Sequence, residues 1–358
     1  MFYDDSAIIV KLQATIMNNP DQVKKSRKGS GAITLHDVAR LAGVSPITAS
    51  RVINKPDQVS NELRQRVEAA ISRTGYVPNQ MAGALASSKS KLIAAVVPST
   101  VISVFNSTIE ALNNRLFDVG YQLMIGQSAY SKSREEHLLD SVIGRRPDGI
   151  FLIGVMKPGK GRTRLLNSGI PVVESWDLTT TPIDMLIGFS HTSIGASVAK
   201  FLISKGRQRF AVIRAEDERA NRRAHAFVKT ITKAGYPEPS LVNVGAERSI
   251  RGGRSALDQI LRLSPTVDAI FCSSDLLALG ALHEALARRI TVPDQISIVG
   301  FGDVPFLGDM SPALTTVRIN GEKIGEMGAQ YLVNKAQGLL NTQPILDVGF
   351  SIIERDTT

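Results

Sequence analysis

Cysteine is nearly absent from this 358-residue chain, with Cys272 the single one. An intramolecular disulfide is excluded, and with it the disulfide-stapled class of small secreted domain. The neighbours of Cys272 are apolar residues and serine, which favours a buried structural thiol over a reactive one. Tryptophan is as scarce, with Trp176 alone, and the five histidines are scattered. No His pair or Cys cluster has metal-ligand spacing, so no metal or cofactor site is expected. No G-x-S-x-G elbow occurs. Long apolar runs are missing too: nothing approaches the ~18 residues that a membrane helix needs. The AIIV run between Ser6 and Met17 is cut by Lys11 and has neither a positive n-region nor a cleavage site. A secreted or membrane-bound protein is not expected, and a cytoplasmic one is. The run from Gly154 to Lys160 imitates a phosphate-binding loop, but that loop needs Ser or Thr next to hold magnesium, and Gly161 follows. An exposed loop is the better reading.

The charge is uneven. Residues 22–91 carry twelve Lys/Arg against four Asp/Glu, a net of +8, within a chain total of +9. Residues 92–358 are nearly neutral, with 29 basic against 26 acidic. A positive field confined to one short segment is the footprint of a polyanion-binding module joined to a neutral domain.

That segment contains ITLHDVARLAGVSPITASRV, Ile33 to Val52. Thr34 is placed to cap a first helix, and Asp37 three residues on completes a capping box. Gly43 suits a tight turn. Ser45 caps a second helix, with Pro46 at the first position, where its missing N–H costs nothing. Val38, Ala42, Val44, Ala49, Val52 and Ile53 form an inward set. Thr48, Ser50 and Arg51 are left outward. Ser60 caps a third helix that buries Leu63, Val67 and Ala70 or Ile71, and Gly75 stops it. A short polar-faced helix presented by a helix-turn-helix is suited to the major groove of DNA, although a helical hairpin in a core has the same spacing.

The stretch ITLHDVARLAGVS, the SRV before Asn54, and GYVPN followed by A-x-x-L-A resemble the headpiece and hinge of the lactose-repressor/galactose-repressor family. The resemblance runs from Ile33 to about Ser87 without a gap and continues to nearly the end of the chain. It implies that Pro46, Ile47 and Arg51 contact bases. It also implies that Thr34, Ser45, Ser50 and Asn54 hold phosphates, with Thr48 on the same face. Leu85 would wedge into the minor groove from a hinge that becomes helical only when two subunits meet over DNA. Ala82 and Ala86 would be its close-packing residues, and Gly83 would lower helix propensity further.

The expected organisation is a disordered basic leader over 1–31, a headpiece over 32–76, a hinge over 77–91 and an effector and dimerisation domain over 92–358. The leader's Lys24, Lys25, Arg27 and Lys28 have a sharper reading as an arm that adds phosphate contacts. From Leu92 onward ten short apolar runs alternate with amphipathic segments, which argues parallel sheets covered on both faces. Ten strands exceed one comfortable sheet. The fold class is therefore an all-α helix-turn-helix headpiece plus an α/β core of two doubly wound lobes, which the resemblance likens to sugar-binding periplasmic proteins.

Ligands of open α/β sheets bind beyond the strand C-termini. Phe105, Glu174, Trp176, Asp177, Ser190, Arg219, Arg223, Ser274, Asp275 and Gly302 are the candidates there. By resemblance, Trp176, Arg223, Ser274 and Gly302 fall on effector-contacting positions. Asp275 has a second reading as a helix cap, and Glu174 and Asp177 as a solvated turn. The FGD at 301–303 departs from the family pattern, which has Asp directly after the aromatic, and this puts a lactose-like sugar in doubt. IPVVESWDLTTTPIDMLIGFSH and LDVGFSIIER look most like gluconate-operon repressors. A sugar acid needs a cation for its carboxylate and acceptors for its hydroxyls, which Arg219 or Arg223 with Glu174 or Asp177 would supply. The resulting expectation is a homodimeric repressor of pseudo-palindromic operators under a sugar-acid effector. A neutral-sugar regulator, a sugar-binding transport protein and an enzyme on the same lobes are the rivals. The helix-turn-helix speaks against the transport protein, and the missing acid–base or nucleophile set against the enzyme.

Overall fold

The computed structural model describes residues 33–78, 89–99, 104–245 and 248–358. The chain divides into two compact units, residues 1–82 and 83–358. Among the described residues there are eleven α-helices and twelve strands.

In the first unit, α1 (Leu35–Ala42) and α2 (Pro46–Asn54) form the helix-turn-helix, and α3 (Asn61–Thr74) covers it. Asp37 accepts from both the N–H and the hydroxyl of Thr34, at 3.0 and 2.7 Å, closing the first turn of α1. Gly43 ends α1 at φ 65°, a left-handed conformation that a side chain resists. The guanidinium of Arg66 on α3 donates to the carbonyls of Ala42 and Gly43, so α3 satisfies groups that the helix end leaves open. The Ser45 hydroxyl accepts from Thr48 N–H at 3.1 Å, and Pro46 occupies the first turn. Val38, Ala39, Ala42, Ala49, Val52, Val67 and Ala70 make the core, with Val44 and Ile71 packed at its edge. Residues this small let three short helices approach closely.

The second unit has two lobes. Lobe 1 is a six-stranded sheet in the order β11-β5-β4-β3-β1-β2. Its strands are β1 (Leu92–Val97), β2 (Gln122–Gln127), β3 (Gly149–Ile153), β4 (Val172–Ser175), β5 (Met185–Gly188) and β11 (Ile345–Asp347). All its pairings are parallel. Lobe 2 has the order β12-β10-β9-β8-β6-β7. Its strands are β6 (Phe210–Arg214), β7 (Ser240–Asn243), β8 (Ala269–Cys272), β9 (Ser297–Gly302), β10 (Thr315–Arg318) and β12 (Ser351–Ile353). Only β12 runs antiparallel, against β10. Helices α4 (Asn106–Asp118), α5 (Lys132–Gly144), α6 (Lys160–Ser168) and α11 (Gly321–Ala336) cover lobe 1. Helices α7 (His191–Ser204), α8 (Glu218–Lys233), α9 (Ile250–Leu263) and α10 (Asp275–Ala287) cover lobe 2. The chain passes between sheets after β5, after β10 and after β11. Central strands such as β1 and β3 are buried on both faces, which is why they read as unbroken apolar runs. Cys272 is fully buried at the end of β8, and burial pushes its thiol well up.

Two strands and two helices exceed the sequence expectation. β11 and β12 have three residues each, too few for a period, and they lie at sheet edges. Helix α4 starts without a side-chain cap, and its buried face of Thr108, Leu112 and Leu116 is hidden among asparagines. Helix α6 begins at Lys160, directly after the phosphate-loop look-alike, and buries only Gly161 and Leu165. Among the described residues no helix is long and apolar enough to cross a membrane.

Candidate functional site

The strand ends of both lobes converge on a cavity of about 360 Å³. Lobe 1 contributes Ser99 after β1, Phe105 before α4, Tyr130 after β2 and Trp176 after β4. Lobe 2 contributes His191, Asp217, Arg219, Arg223, Arg248, Ser273 to Leu276, Phe301 and Val304.

Trp176 is held by contacts on every side. Its backbone has φ 61°, a left-handed conformation that costs a bulky residue strain. Its N–H donates to Ile187 O at 3.2 Å, and its indole Nε1–H donates to Thr108 Oγ1 at 3.1 Å. Phe105 meets it edge to face at 4.8 Å, and Phe189 does so at 5.6 Å. The indole is 2% exposed, so it closes the cavity as a wall.

Facing this wall is an arginine cluster on α8. Asp217 caps that helix, accepting from Ala220 N–H at 2.9 Å. Arg223 is buried, with its guanidinium 3.8 Å from the Phe301 ring centre. It donates to His191 Nδ1 at 2.8 Å and to Ser273 O at 3.0 Å. Its buried Nε has no partner among the described residues, and neither has the buried Ser274 hydroxyl. Burial, with Arg219, Arg248 and Arg222 adding to it against Asp217, brings Arg223 down to about 9. Arg219 sits 5.6 Å from the Phe105 ring of the opposite lobe and makes no ion pair among the described residues. Arg248 pairs with Asp217 at 2.7 Å and lies 3.9 Å from the Tyr130 ring. Burial by itself would raise Asp217, but Arg223, the Ala220 N–H, Arg248 and Arg219 together hold its carboxyl below the ordinary range.

Asp275 is buried in the cavity wall and is no helix cap. It accepts from Val304 N–H at 3.0 Å and from the Thr316 hydroxyl, so it ties α10 to the loop after β9 and to β10. Burial, with Asp303 adding to it, raises its carboxyl to about 6 against its hydrogen bonds. The cavity wall thus carries three guanidinium groups, one carboxyl lowered by them and one carboxyl raised by burial. An anion with hydroxyl groups suits that balance.

Of the ten expected residues, Phe105, Trp176, Arg219, Arg223, Ser274 and Asp275 line the cavity together. The other four are placed elsewhere. Glu174 is fully buried behind the wall, accepting from Met156 and Ile183 N–H at 2.7 Å each, with Arg162 at 3.7 Å. Burial raises its carboxyl, and those contacts oppose the rise. Asp177 is buried at a neighbouring cavity, paired with Arg222 and accepting from Leu178 N–H at 2.7 Å. Ser190 caps α7, accepting from Ser193 N–H at 3.1 Å. Gly302 lines a neighbouring cavity with Asp303, and a Cβ there would come within 3.0 Å of Asp275 Oδ2. Asp303 is consumed by Arg318 and Arg355.

His191, Asp217 and Arg248 escaped sequence reading. Asp217 carried a signal, as a cap residue opening the helix that carries both arginines. His191 follows the noted strand end Ser190 by one position. Arg248 sits on a loop and carried none.

On the headpiece, Ile47 is 72% exposed and Arg51 is exposed on the same helix. Thr48 Oγ1 lies 2.9 Å from Ser45 Oγ, and Asn54 Nδ2 donates to Ser50 O at 2.9 Å. These polar groups brace the helix while Thr34, Ser45 and Asn54 stay exposed. Leu85, Ala82, Gly83 and Ala86 lie outside the described residues.

Residues 34–79 match the model of bacterial regulatory proteins of the lacI family, and residues 199–358 match a periplasmic binding protein-like domain. The HTH-type transcriptional regulator GntR of Pseudomonas aeruginosa is 37% identical over 336 residues, 93% of this chain and 98% of that protein. The regulator of the same name in Escherichia coli is 30% identical over 319 residues, 89% of this chain and 96% of that one. The crystal structure of a LacI-family transcriptional regulator from Silicibacter pomeroyi superposes with a TM-score of 0.85 at 30% identity, covering 91% of this chain and 99% of its own. The chain therefore belongs to the LacI family and is a DNA-binding transcriptional regulator.

Proposed function

We propose that this regulator is a homodimeric repressor of pseudo-palindromic operators whose DNA affinity is set by a small sugar acid, gluconate or a close relative. One observation carries the effector reading. Arg219 faces the cavity without an ion pair among the described residues, and Arg223 and Ser274 line the cavity with it. A carboxylate satisfies the cation, and hydroxyl groups on the same ligand meet the polar wall beside it. A neutral sugar would leave Arg219 desolvated and unpaired, which disfavours it.

The division of labour is a headpiece over 32–76, a hinge over 77–91 carrying the Leu85 wedge, and an effector and dimerisation domain over 92–358. Pro46, Ile47 and Arg51 read bases, and Thr34, Ser45, Thr48, Ser50 and Asn54 set register on phosphates. One headpiece buries too little groove for high specificity, so two are needed. The lac repressor shares this fold, with a TM-score of 0.79 at 24% identity, and has been solved as a dimer on its operator. Effector acts by binding one lobe arrangement more tightly than the other, through a coupling of ~1–3 kcal/mol.

The test is thermal unfolding of the chain with gluconate or glucose, alongside operator retention. Gluconate at a hundred times its Kd stabilises by ~2.7 kcal/mol and changes retention. A shift with glucose and none with gluconate refutes the carboxylate clamp. A monomer by light scattering at about micromolar concentration refutes the dimer.

A further inference from the structure

The imidazole of His191 lies between the two lobes at the back of the cavity. It is 2% exposed and stands at the first position of α7, just after the chain crosses from β5. Its Nε2 is 3.0 Å from Trp176 O, a lobe 1 carbonyl that can only accept. Nε2 therefore carries the proton, and Nδ1 is the lone-pair acceptor. That acceptor is 2.8 Å from Nη1 of Arg223. Nη2 of the same guanidinium donates to Ser273 O, and its face lies on Phe301. With those contacts made, the buried Nε–H is the guanidinium nitrogen left without a partner among the described residues. The tautomer is thus chosen by one lobe and the arginine held by it in the other. Gly195, one turn along α7, makes this possible, since a Cβ there would collide with the Arg223 carbonyl.

We propose that His191 is a positioning residue for effector recognition. As a neutral Nε2–H imidazole it locks the Arg223 guanidinium in the orientation it holds at the cavity wall, and it couples that orientation to the Trp176 backbone of the opposite lobe. The inference rests on the sugar-acid reading for its ligand, but the lock belongs to the ligand-free protein. A protonated ring would turn an N–H toward Arg223 and break the lock. The surrounding charges prevent this. Burial first, then Arg223, Arg219 and Arg222, hold the imidazole far below its ordinary range. Asp177 Oδ1, 4.0 Å from Nε2, is the opposing charge, and it is already paired with Arg222.

Two substitutions separate positioning from packing. In His191→Asn the amide oxygen takes the place of Nδ1, so the acceptor for Arg223 survives and the bond to Trp176 is lost. In His191→Gln the amide reaches the place of Nε2, so the Trp176 bond survives and the acceptor is lost. Gluconate is titrated calorimetrically into the full chain and each variant. His191→Gln is expected to bind about tenfold or more weakly, and His191→Asn within about threefold of the parent, the scale of a hydrogen bond to a charged group. Equal losses in both variants, or a larger loss in His191→Asn, overturn the proposal. Nitrogen NMR of the ligand-free protein from about pH 5.5 to 8.5 reports the tautomer directly. A constant Nε2–H signal supports the lock, and an ordinary titration or an Nδ1–H tautomer refutes it. If the parent chain ignores gluconate, the sugar-acid reading fails, and the NMR result alone decides the lock.

Discussion

Arg219 and Arg223 stand one turn apart on α8, yet they are held in opposite ways. Arg223 is buried in lobe 2, donating to His191 and Ser273 and stacked 3.8 Å over Phe301. Arg219 reaches across the cleft to Phe105 at 5.6 Å and makes no ion pair among the described residues, although it lies near enough to Asp217 to help lower that carboxyl. One cation is fixed before ligand arrives, and the other is left to be neutralised by it.

Arg219→Gln is therefore expected to leave unfolding free energy within about 0.5 kcal/mol of the parent, because no internal ion pair is lost. Gluconate affinity should fall roughly 10- to 100-fold, the value of a charge-assisted hydrogen bond in a partly desolvated site. Calorimetric titration reads the affinity, and unchanged affinity would remove Arg219 from the clamp. Arg223→Ala should abolish the gluconate-induced thermal shift while operator retention persists.

Asp275 gives a pH prediction with a definite sign. Its carboxyl is raised from 3.8 to about 6 in the folded chain. Between those values the native state keeps a proton that the unfolded chain has released. Stability from this group is therefore lost as pH rises from about 4 to about 6 and is level above, a change on the order of 3 kcal/mol. Asp275→Asn keeps one acceptor, for the Val304 N–H, and turns an amide N–H toward the Thr316 hydroxyl, which can accept it, and it has nothing to titrate. Urea unfolding of both proteins across that window should show the variant gaining on the parent as pH rises. A constant difference between them would sink the assignment.

Gly195→Ala tests the approach of α7 to α8. The added Cβ meets the Arg223 carbonyl, so the helices must part, at a cost of ~1–3 kcal/mol. Because Trp176 is the sole tryptophan and its carbonyl accepts from His191, the emission of the folded variant should shift. An unchanged spectrum with unchanged stability would show that the contact is slack.

Arg51 and Ile47 share the exposed face of α2. Arg51→Ala should relax preference at one symmetric base pair by ~1–3 kcal/mol, the worth of a bidentate guanine contact. Ile47→Ala should leave headpiece stability within about 0.5 kcal/mol, since the side chain packs on nothing inside. It should alter preference where a thymine methyl is covered. Operator variants in a binding assay at fixed salt check both, and uniform weakening across all sequences would reassign Arg51 to phosphate.

The headpiece was legible because its determinants are local. Thr34 with Asp37, Gly43, Ser45 with Pro46, and Ser60 each act within three or four residues of themselves, and short apolar spacing names the core. The long central strands were legible for a similar reason, since burial on both faces leaves an unbroken apolar run. β11 and β12 were not, because three residues at a sheet edge carry no period.

The sequence by itself determined the family, the helix-turn-helix and which strand ends bound a cleft. Those follow from spacing, capping and charge, all of which act along the chain. Only the tertiary structure decided which strand-end residues face one another. Glu174 and Asp177 sit on the same strand end as Trp176, yet the backbone turn at Trp176 sends the two carboxylates to backbone donors and Arg222. His191 and Arg248 joined the site through the packing of α7 on α8 and a loop that precedes α9. Direction across a cleft is set by contacts between residues far apart in the chain, so no local pattern records it.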